Sequence, residues 1–225
     1  MFGNDISIDL GTATVQVYIK NKGIVLREPT VIAVNTDTDS VCGVGRDALL
    51  MIGRTPPNIH AVRPLIDGVI SNFTLTQEMI RLFLKKSISF TAGHPRIMMC
   101  VPSGITDVEQ RAVIESAREA GAKDIYIIEE PVAAALGAGF DISRAHGTMV
   151  VDIGGGTTDI AVMSLGGVVA SRSLKIAGDE FTEAIIRYMK KEKGLFIGPR
   201  TAEDIKREIG CVIPREKELV YSAKG

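Results

Sequence analysis

No tryptophan occurs in this chain of 225 residues, and four tyrosines and seven phenylalanines make up the rest of its aromatic content. Few flat side chains are therefore available as platforms for stacked bases. Charge is nearly balanced, with 26 Lys and Arg against 27 Asp and Glu and a net charge of −1. There is no basic surplus to meet a phosphodiester backbone, so no nucleic-acid partner is expected. Cysteine is scarce: Cys42, Cys100 and Cys211 are odd in number, widely spaced and flanked by Val41, Met99, Val101 and Val212. That pattern predicts buried free thiols in a reducing compartment rather than disulfides. His60, His94 and His146 are scattered, without metal-ligand spacing. No apolar run approaches the roughly 18 residues that would cross a bilayer. The N-terminus begins almost directly on a strand, without a basic-then-apolar leader, which predicts no signal peptide. Together these absences predict a cytoplasmic protein. An apolar fraction of 45% supports a real core, in one large domain or two small ones.

What is present is a pattern that occurs twice. The first copy is Asp9-Leu10-Gly11-Thr12-Ala13-Thr14, followed by Val15-Gln16-Val17. The second is Asp152-Ile153-Gly154-Gly155-Gly156-Thr157-Thr158, followed by Asp159-Ile160-Ala161-Val162. Each follows an apolar strand, carries Asp at its end, turns on Gly and Thr, and resumes as a strand. Such a turn directs several backbone N–H groups and hydroxyls at one point. Glycine lets the backbone approach a ligand and adopt positive φ, and a nest of amides suits phosphate oxygens. An aspartate cannot bind phosphate, but it can hold the water shell of a Mg²⁺ that does. Either copy alone would pass for an ordinary hairpin; two copies in one context imply duplicated halves that form a phosphate clamp.

Alternation predicts strands at 5–10, 14–20 and 24–27, then a hairpin from Val31–Asn35 and Ser40–Val44 and a short helix at Arg46–Ile52. Helical spacing of Leu75, Met79, Ile80, Leu82 and Phe83 predicts a helix over 75–87, capped by Thr74 or Thr76. Ile97–Val101 reads as a buried parallel strand, and Asp107 as the cap of a helix over 108–120 that ends at Gly121. A strand at Ile125–Ile128 and an Ala-rich helix over 131–139 follow, giving a parallel α/β unit. After a linker at Asp141–Gly147, strands at 149–152, 158–164 and 167–175 mirror the first three. Helices over 179–193 and 201–210 close the chain.

Those residues together resemble the actin-like ATPase superfamily, and within it the bacterial actin homologue MreB and its close paralogues. The resemblance rests on Asp9 to Ala13, Arg63-Pro64-Leu65 with Asp67-Gly68-Val69-Ile70, Ile128-Glu129-Glu130-Pro131-Val132-Ala133-Ala134-Ala135, Asp152 to Thr158, and Ile197-Gly198 through Arg200-Thr201-Ala202-Glu203. It runs from end to end of the chain, which resembles the N-terminal portion of a longer MreB-type protein. The fold implied is α/β and actin-like: ribonuclease H-like duplicated domains, mixed sheets with flanking helices, and an incomplete second half. The resemblance divides the chain into a first subdomain at 1–29 and 63–145, a small insertion at 30–62, the start of a second subdomain at 146–177 and a helical one at 178–225. An incomplete second sheet would leave an uncovered edge and apolar faces.

The resemblance also implies roles. Gly11, Thr12, Ala13 and Thr14 would wrap the β- and γ-phosphates of ATP, with Thr14 standing where the family usually has Asn. Gly154, Gly155, Gly156 and Thr157 would hold the other face, and Asp9 and Asp152 would orient Mg²⁺ through water. Glu130, with Thr157, would position the attacking water, and Asp152 would join them in catalysis. Gly178 and Asp179 resemble a ribose-side turn. Glu203, Asp204, Ile205 and Lys206 resemble the ribose and adenine segment; a surface ion pair between Glu203 and Lys206 is the other reading.

The function implied is an ATP-binding, filament-forming cytoskeletal protein acting in cell-shape determination. ATPase activity is the family's expectation, with a monomeric ATPase of chaperone or kinase type, or a non-catalytic remnant, as alternatives. Expected partners are further copies of the chain, cell-wall elongation proteins and the inner face of the cytoplasmic membrane. For the membrane, Ile88 and Phe90 beside Lys85 and Lys86 are the candidate contact, a capping role onto the core being the other reading.

Overall fold

The structure, a computed structural model, describes residues 5–87 and 95–224. Strands β1 (Asp5–Leu10), β2 (Thr14–Ile19) and β3 (Gly23–Pro29) form an antiparallel meander. Each of the first two alternates inward and outward: Ile6, Ile8 and Leu10 on β1 and Val15, Val17 and Ile19 on β2 are buried. A small three-stranded sheet then forms from β4 (Ile32–Asn35), β5 (Ser40–Val44) and, beyond α1 (Arg46–Met51), β6 (Ile59–Val62). The sequence pattern gave this sheet two strands. The third comes from Ile59 and Ala61, which pack with Met51 on a minor core of Val31, Ala33 and Ala48. A tight hairpin of β7 (Leu65–Ile66) and β8 (Val69–Ile70) follows, its strands too short for alternation to show.

Helix α2 (Phe73–Ser87) buries Met79, Ile80, Phe83 and Leu84. Its cap is Asn72, whose Oδ1 accepts from the Leu75 N–H at 3.0 Å, rather than Thr74 or Thr76. Strand β9 (Arg96–Val101) adds in parallel to the free side of β1, helix α3 (Asp107–Glu119) crosses back, and β10 (Asp124–Glu129) adds in parallel to β9. The cap of α3 is Thr106, not Asp107, and Thr106 and Glu109 make a reciprocal capping box. The sheet order is β10-β9-β1-β2-β3, with α2 and α3 against its apolar face.

Helix α4 (Glu130–Gly137) continues from β10. The pattern then repeats as β11 (Thr148–Ile153), β12 (Thr158–Ser164) and β13 (Gly167–Leu174), again an antiparallel meander. α4 packs on β9 and β10 of the first sheet and on β11 and β12 of the second, so both sheets share it. Ala135 of α4 sits with Ala161, Met163 and Val150 in a core of its own. On the opposite face of β11, Met149, Val151 and Ile153 are exposed.

The chain divides into two compact units, one extending to Lys175 and the other beginning at Ile176. The second contains α5 (Gly178–Lys193) and α6 (Pro199–Ile209). The cysteines remain free, but Cys42 and Cys211 are exposed and Cys100 is half-buried. At Cys42 the cause is alternation: its neighbour Val41 turns inward, and the thiol therefore faces solvent. Ile88 and Phe90 lie outside the described residues. No helix among the described residues is long and apolar enough to cross a membrane.

Candidate functional site: a cleft between two matched turns

The two turns are built alike. In the first, the Gly11 N–H donates to the Thr14 carbonyl at 3.2 Å; in the second, the Gly154 N–H donates to the Thr157 carbonyl at 2.9 Å. Beyond each turn the pairs also match, Asp9 facing Gln16 and Asp152 facing Asp159. None of Gly11, Gly154, Gly155 or Gly156 is among the glycines with positive φ, so the freedom expected of them is not what these turns use. Their glycines serve close approach. A Cβ on Gly155 would lie 2.5 Å from Ala13 Cβ, and one on Gly156 would lie 2.8 Å from Thr12. The tips of the turns touch.

A third loop enters between them. At the tip of the β7–β8 hairpin Asp67 and Gly68 both have positive φ, 51° and 74°, as a two-residue turn of this hand requires. The Gly68 N–H donates to Thr12 Oγ1 at 2.9 Å, and a Cβ on Gly68 would lie 2.7 Å from Thr157 Cγ2. Thr30 ties the first turn from behind: its Oγ1 donates to the Gly11 carbonyl at 2.7 Å and its N–H to the Ala13 carbonyl at 3.0 Å.

Between the turns lies a cleft of about 510 Å³. Asp9, Gly11, Thr12, Ala13, Thr14, Glu130, Asp152, Gly154, Gly155 and Thr157 all line it. Gly156 is set back against Thr12 and Asp67. The cleft opens at the carboxyl ends of the parallel strands β1, β9 and β10, where ligands of open α/β sheets bind. Glu129 and Glu130, alike in sequence, part company here. Glu129 accepts a bond from Ser103 Oγ at 2.8 Å, whereas Glu130, the first residue of α4, faces the cleft.

Acid dominates the electrostatics. Burial pushes the Asp9 carboxyl above its ordinary range; the Asp152 charge adds to this and a bond from Gln16 opposes it. Burial and then the Asp159 charge raise Asp152. Glu130 is pushed up to about 8, by burial first and then by Asp9, Asp159 and Asp152. Cys100, also in the lining, is pushed up to about 12 by burial, Asp9 and Glu130, so its thiol stays protonated and unreactive. Among the described residues of the lining only Arg27 is basic. Gln16, Arg27, Gly68, Cys100, Pro102, Ala133 and Ala134 joined the cleft without being singled out from sequence for it. Gly68, Ala133 and Ala134 belong to motifs already quoted, and the strand register sets Gln16 opposite both Asp9 and Arg27.

The donor set bears on a cation. Among the described residues no three His, Cys, Asp or Glu side chains cluster closely enough to ligate a metal ion directly. Mg²⁺ usually keeps several waters and takes one or two carboxylates plus substrate phosphates. Asp9 and Asp152, each with repulsion to relieve, fit that outer role.

The remaining predicted residues belong to the second unit. Gly178 opens α5, and its carbonyl accepts from Lys206 Nζ at 2.7 Å. Lys206 also donates to Thr182 Oγ1 at 3.0 Å and pairs with Glu203 at 2.6 Å. Thr182 in turn donates to Glu203 at 2.8 Å. Burial works against the Glu203 charge, but the bonds from Lys206 and Thr182 hold its carboxyl below the ordinary value. Glu203 and Lys206 thus form an internal network that ties α6 to the start of α5. Asp179 follows Gly178 in the first turn of α5, and Asp204 and Ile205 lie within α6 beside the pair.

Comparison with known proteins gives the geometry a context. A family model described as MreB/Mbl protein matches residues 3–225. Over 231 residues the chain is 52% identical to the cell shape-determining protein MreB of Escherichia coli, covering 100% of this chain and 67% of that protein. It is 50% identical over 226 residues to the cell shape-determining protein Mbl of Bacillus subtilis, covering 100% of this chain and 68% of that one. The crystal structure of MreB 5 of Spiroplasma citri bound to AMPPNP superposes with a TM-score of 0.89 at 38% identity, over 96% of this chain and 66% of that chain. The chain thus spans about two thirds of the length of the relatives it matches.

Proposed function

The chain belongs to the MreB/Mbl family, and on that premise we propose that it is an actin-type cytoskeletal protein that binds ATP and acts in cell-shape determination. The observation that carries this is the matched pair of aspartate-tipped turns, closed by equivalent backbone bonds and meeting over one cleft. Relatives named as cell shape-determining and a neighbour bound to AMPPNP support the reading. Backbone amides and hydroxyls of residues 11–14 and 154–157 bind the phosphates. Asp9 and Asp152 would hold the water shell of a Mg²⁺ ion, which when bound would supply charge neutralisation on the phosphate oxygens.

Glu130 orients the attacking water and, in its ionised form, which gains population as pH rises toward 8, accepts the water's proton, with the Thr157 hydroxyl helping to hold that water. The water oxygen bonds to the γ-phosphorus, the bond to the β–γ bridging oxygen breaks, and ADP leaves. Glu130 reaches this role from the right place: it opens α4, the helix that both sheets share. Residues 178–179 and 203–206 serve the ribose and adenine. Subunits add to one another in filaments at the inner face of the cytoplasmic membrane, alongside cell-wall elongation proteins.

Sedimentation with and without MgATP, read beside phosphate release, tests the proposal. The expected result is ATP-dependent pelleting accompanied by phosphate release. Turnover without pelleting would overturn the filament. The absence of both, with no nucleotide bound, would overturn the nucleotide role itself.

A further inference from the structure

Gln16 and Asp159 hold equivalent positions in the two hairpins, each directly across the ladder from the aspartate at the strand end. In the first hairpin the occupant is a neutral amide, and its Nε2 donates to Asp9 Oδ2 at 3.4 Å. In the second it is another acid, so Asp152 faces a carboxylate where Asp9 faces a donor. Asp159 is only 1% exposed, and its Oδ1 has no hydrogen-bond partner among the described residues. Alternation along β12 puts Asp159 on the same face as Ala161 and Met163, the face that α4 covers. Glu130 opens that helix, so Asp159 lies near both Asp152 and Glu130, and its charge acts on each.

A buried carboxylate with an unbonded oxygen and two acidic neighbours is unfavourable on its own. The first hairpin demonstrates that an amide serves the same position and satisfies the aspartate opposite. A carboxylate at 159 therefore calls for a positive group whose charge acts on it when the cleft is filled. A divalent cation accompanying a nucleoside triphosphate in the adjoining cleft would be such a group. We propose that Asp159 is a third cation-positioning carboxylate, acting with Asp152 on the water shell of that divalent ion. The cation's contribution to binding then depends on the second turn more than on the first. This rests on the nucleotide reading above and deepens it.

The test compares Asp159→Asn and Asp159→Glu with the unaltered protein. ATP affinity is measured by fluorescent-nucleotide competition in excess Mg²⁺ and in EDTA, and melting is followed without ligand. For Asp159→Asn the gain in affinity that Mg²⁺ confers should shrink about 10- to 100-fold, with affinity in EDTA unchanged or better. Its ligand-free melting temperature should rise, because a buried like charge has gone. Asp159→Glu should keep most of the Mg²⁺ gain. An undiminished Mg²⁺ gain in Asp159→Asn overturns the inference and leaves the nucleotide site standing. Equal loss of that gain in both variants assigns Asp159 a packing role and overturns it too. An unaltered protein that binds no ATP in either condition sinks both readings.

Discussion

Gly155 lies against Ala13 so closely that a methyl group on residue 155 would sit 2.5 Å from the Ala13 side chain. The contact joins the tips of two turns that are 142 positions apart in the sequence, and no rotamer can relieve it, because a Cβ has none. Gly155→Ala should therefore push the turns apart and destabilise the protein by about 1–3 kcal/mol, the usual range for overpacking. Gly167→Ala is the control: no atom lies within 4 Å of its would-be Cβ, and a shift within about 0.5 kcal/mol is expected. Urea denaturation measures both, and equal effects would refute the contact. ATP affinity should fall with Gly155→Ala alone.

Glu130 makes stability depend on pH. Its carboxyl stands at about 8 in the folded chain, against an ordinary 4.5, so the folded state holds a proton that the unfolded state has released. The contribution of Glu130 to stability is then fully present below about 4.5 and declines as pH rises toward 8, at up to about 1.4 kcal/mol per pH unit. Asp9 and Asp152, also raised, act in the same direction at lower pH. Glu130→Gln cannot ionise, and its urea midpoint should fall less between pH 5.5 and 8 than that of the unaltered protein. Parallel pH profiles for the two proteins would show that Glu130 is not the group responsible. At pH 8 the variant should bind ATP while its phosphate release drops about 10²- to 10⁴-fold.

At the start of α3 the neighbours Thr106 and Asp107 make competing claims to the cap. Thr106 Oγ1 accepts from the Glu109 N–H at 3.3 Å, and Glu109 Oε2 accepts from the Thr106 N–H at 2.9 Å. Thr106→Ala removes the first, keeps the backbone N–H that makes the second, and should cost about 1 kcal/mol. Asp107→Ala removes only a first-turn charge, worth about 0.3–1 kcal/mol at low salt and less in high salt. Denaturation in low and high salt separates them, since the Thr106 effect should persist in both.

Alternation and repetition carried much of the fold. Strands with one apolar face, such as β1 and β2, are visible because burial imposes a period of two. The repeated turn is visible because it needs small residues at fixed offsets from an aspartate. Register is invisible in a single chain: Asp159 reads as one more acid in a strand until pairing puts it opposite Asp152. The Asp67–Gly68 loop could be quoted as a motif, but its bond to Thr12 spans 56 positions and follows from no local pattern. Cys42 misled because apolar neighbours in a strand point the other way.

Lys206 offers a case in which a site residue and a structural one can be told apart. Its ammonium group binds the Gly178 carbonyl and Thr182 Oγ1, and pairs with Glu203, which Thr182 also contacts. Lys206→Met keeps the length of the side chain but leaves the Gly178 carbonyl without that donor and Glu203 without its cation. Hydrogen bonds to charged groups are worth about 1.5–3 kcal/mol each in net terms, reduced here because the Lys206 and Glu203 side chains are 22% and 40% exposed. A loss of about 1–2 kcal/mol without any nucleotide is expected, with faster amide exchange in the first turn of α5. If Lys206 acts through ligand alone, ligand-free stability and exchange stay unchanged while ATP affinity falls. The network predicts the opposite order: the ligand-free protein weakens first, and any loss of affinity follows from the displaced Gly178 turn.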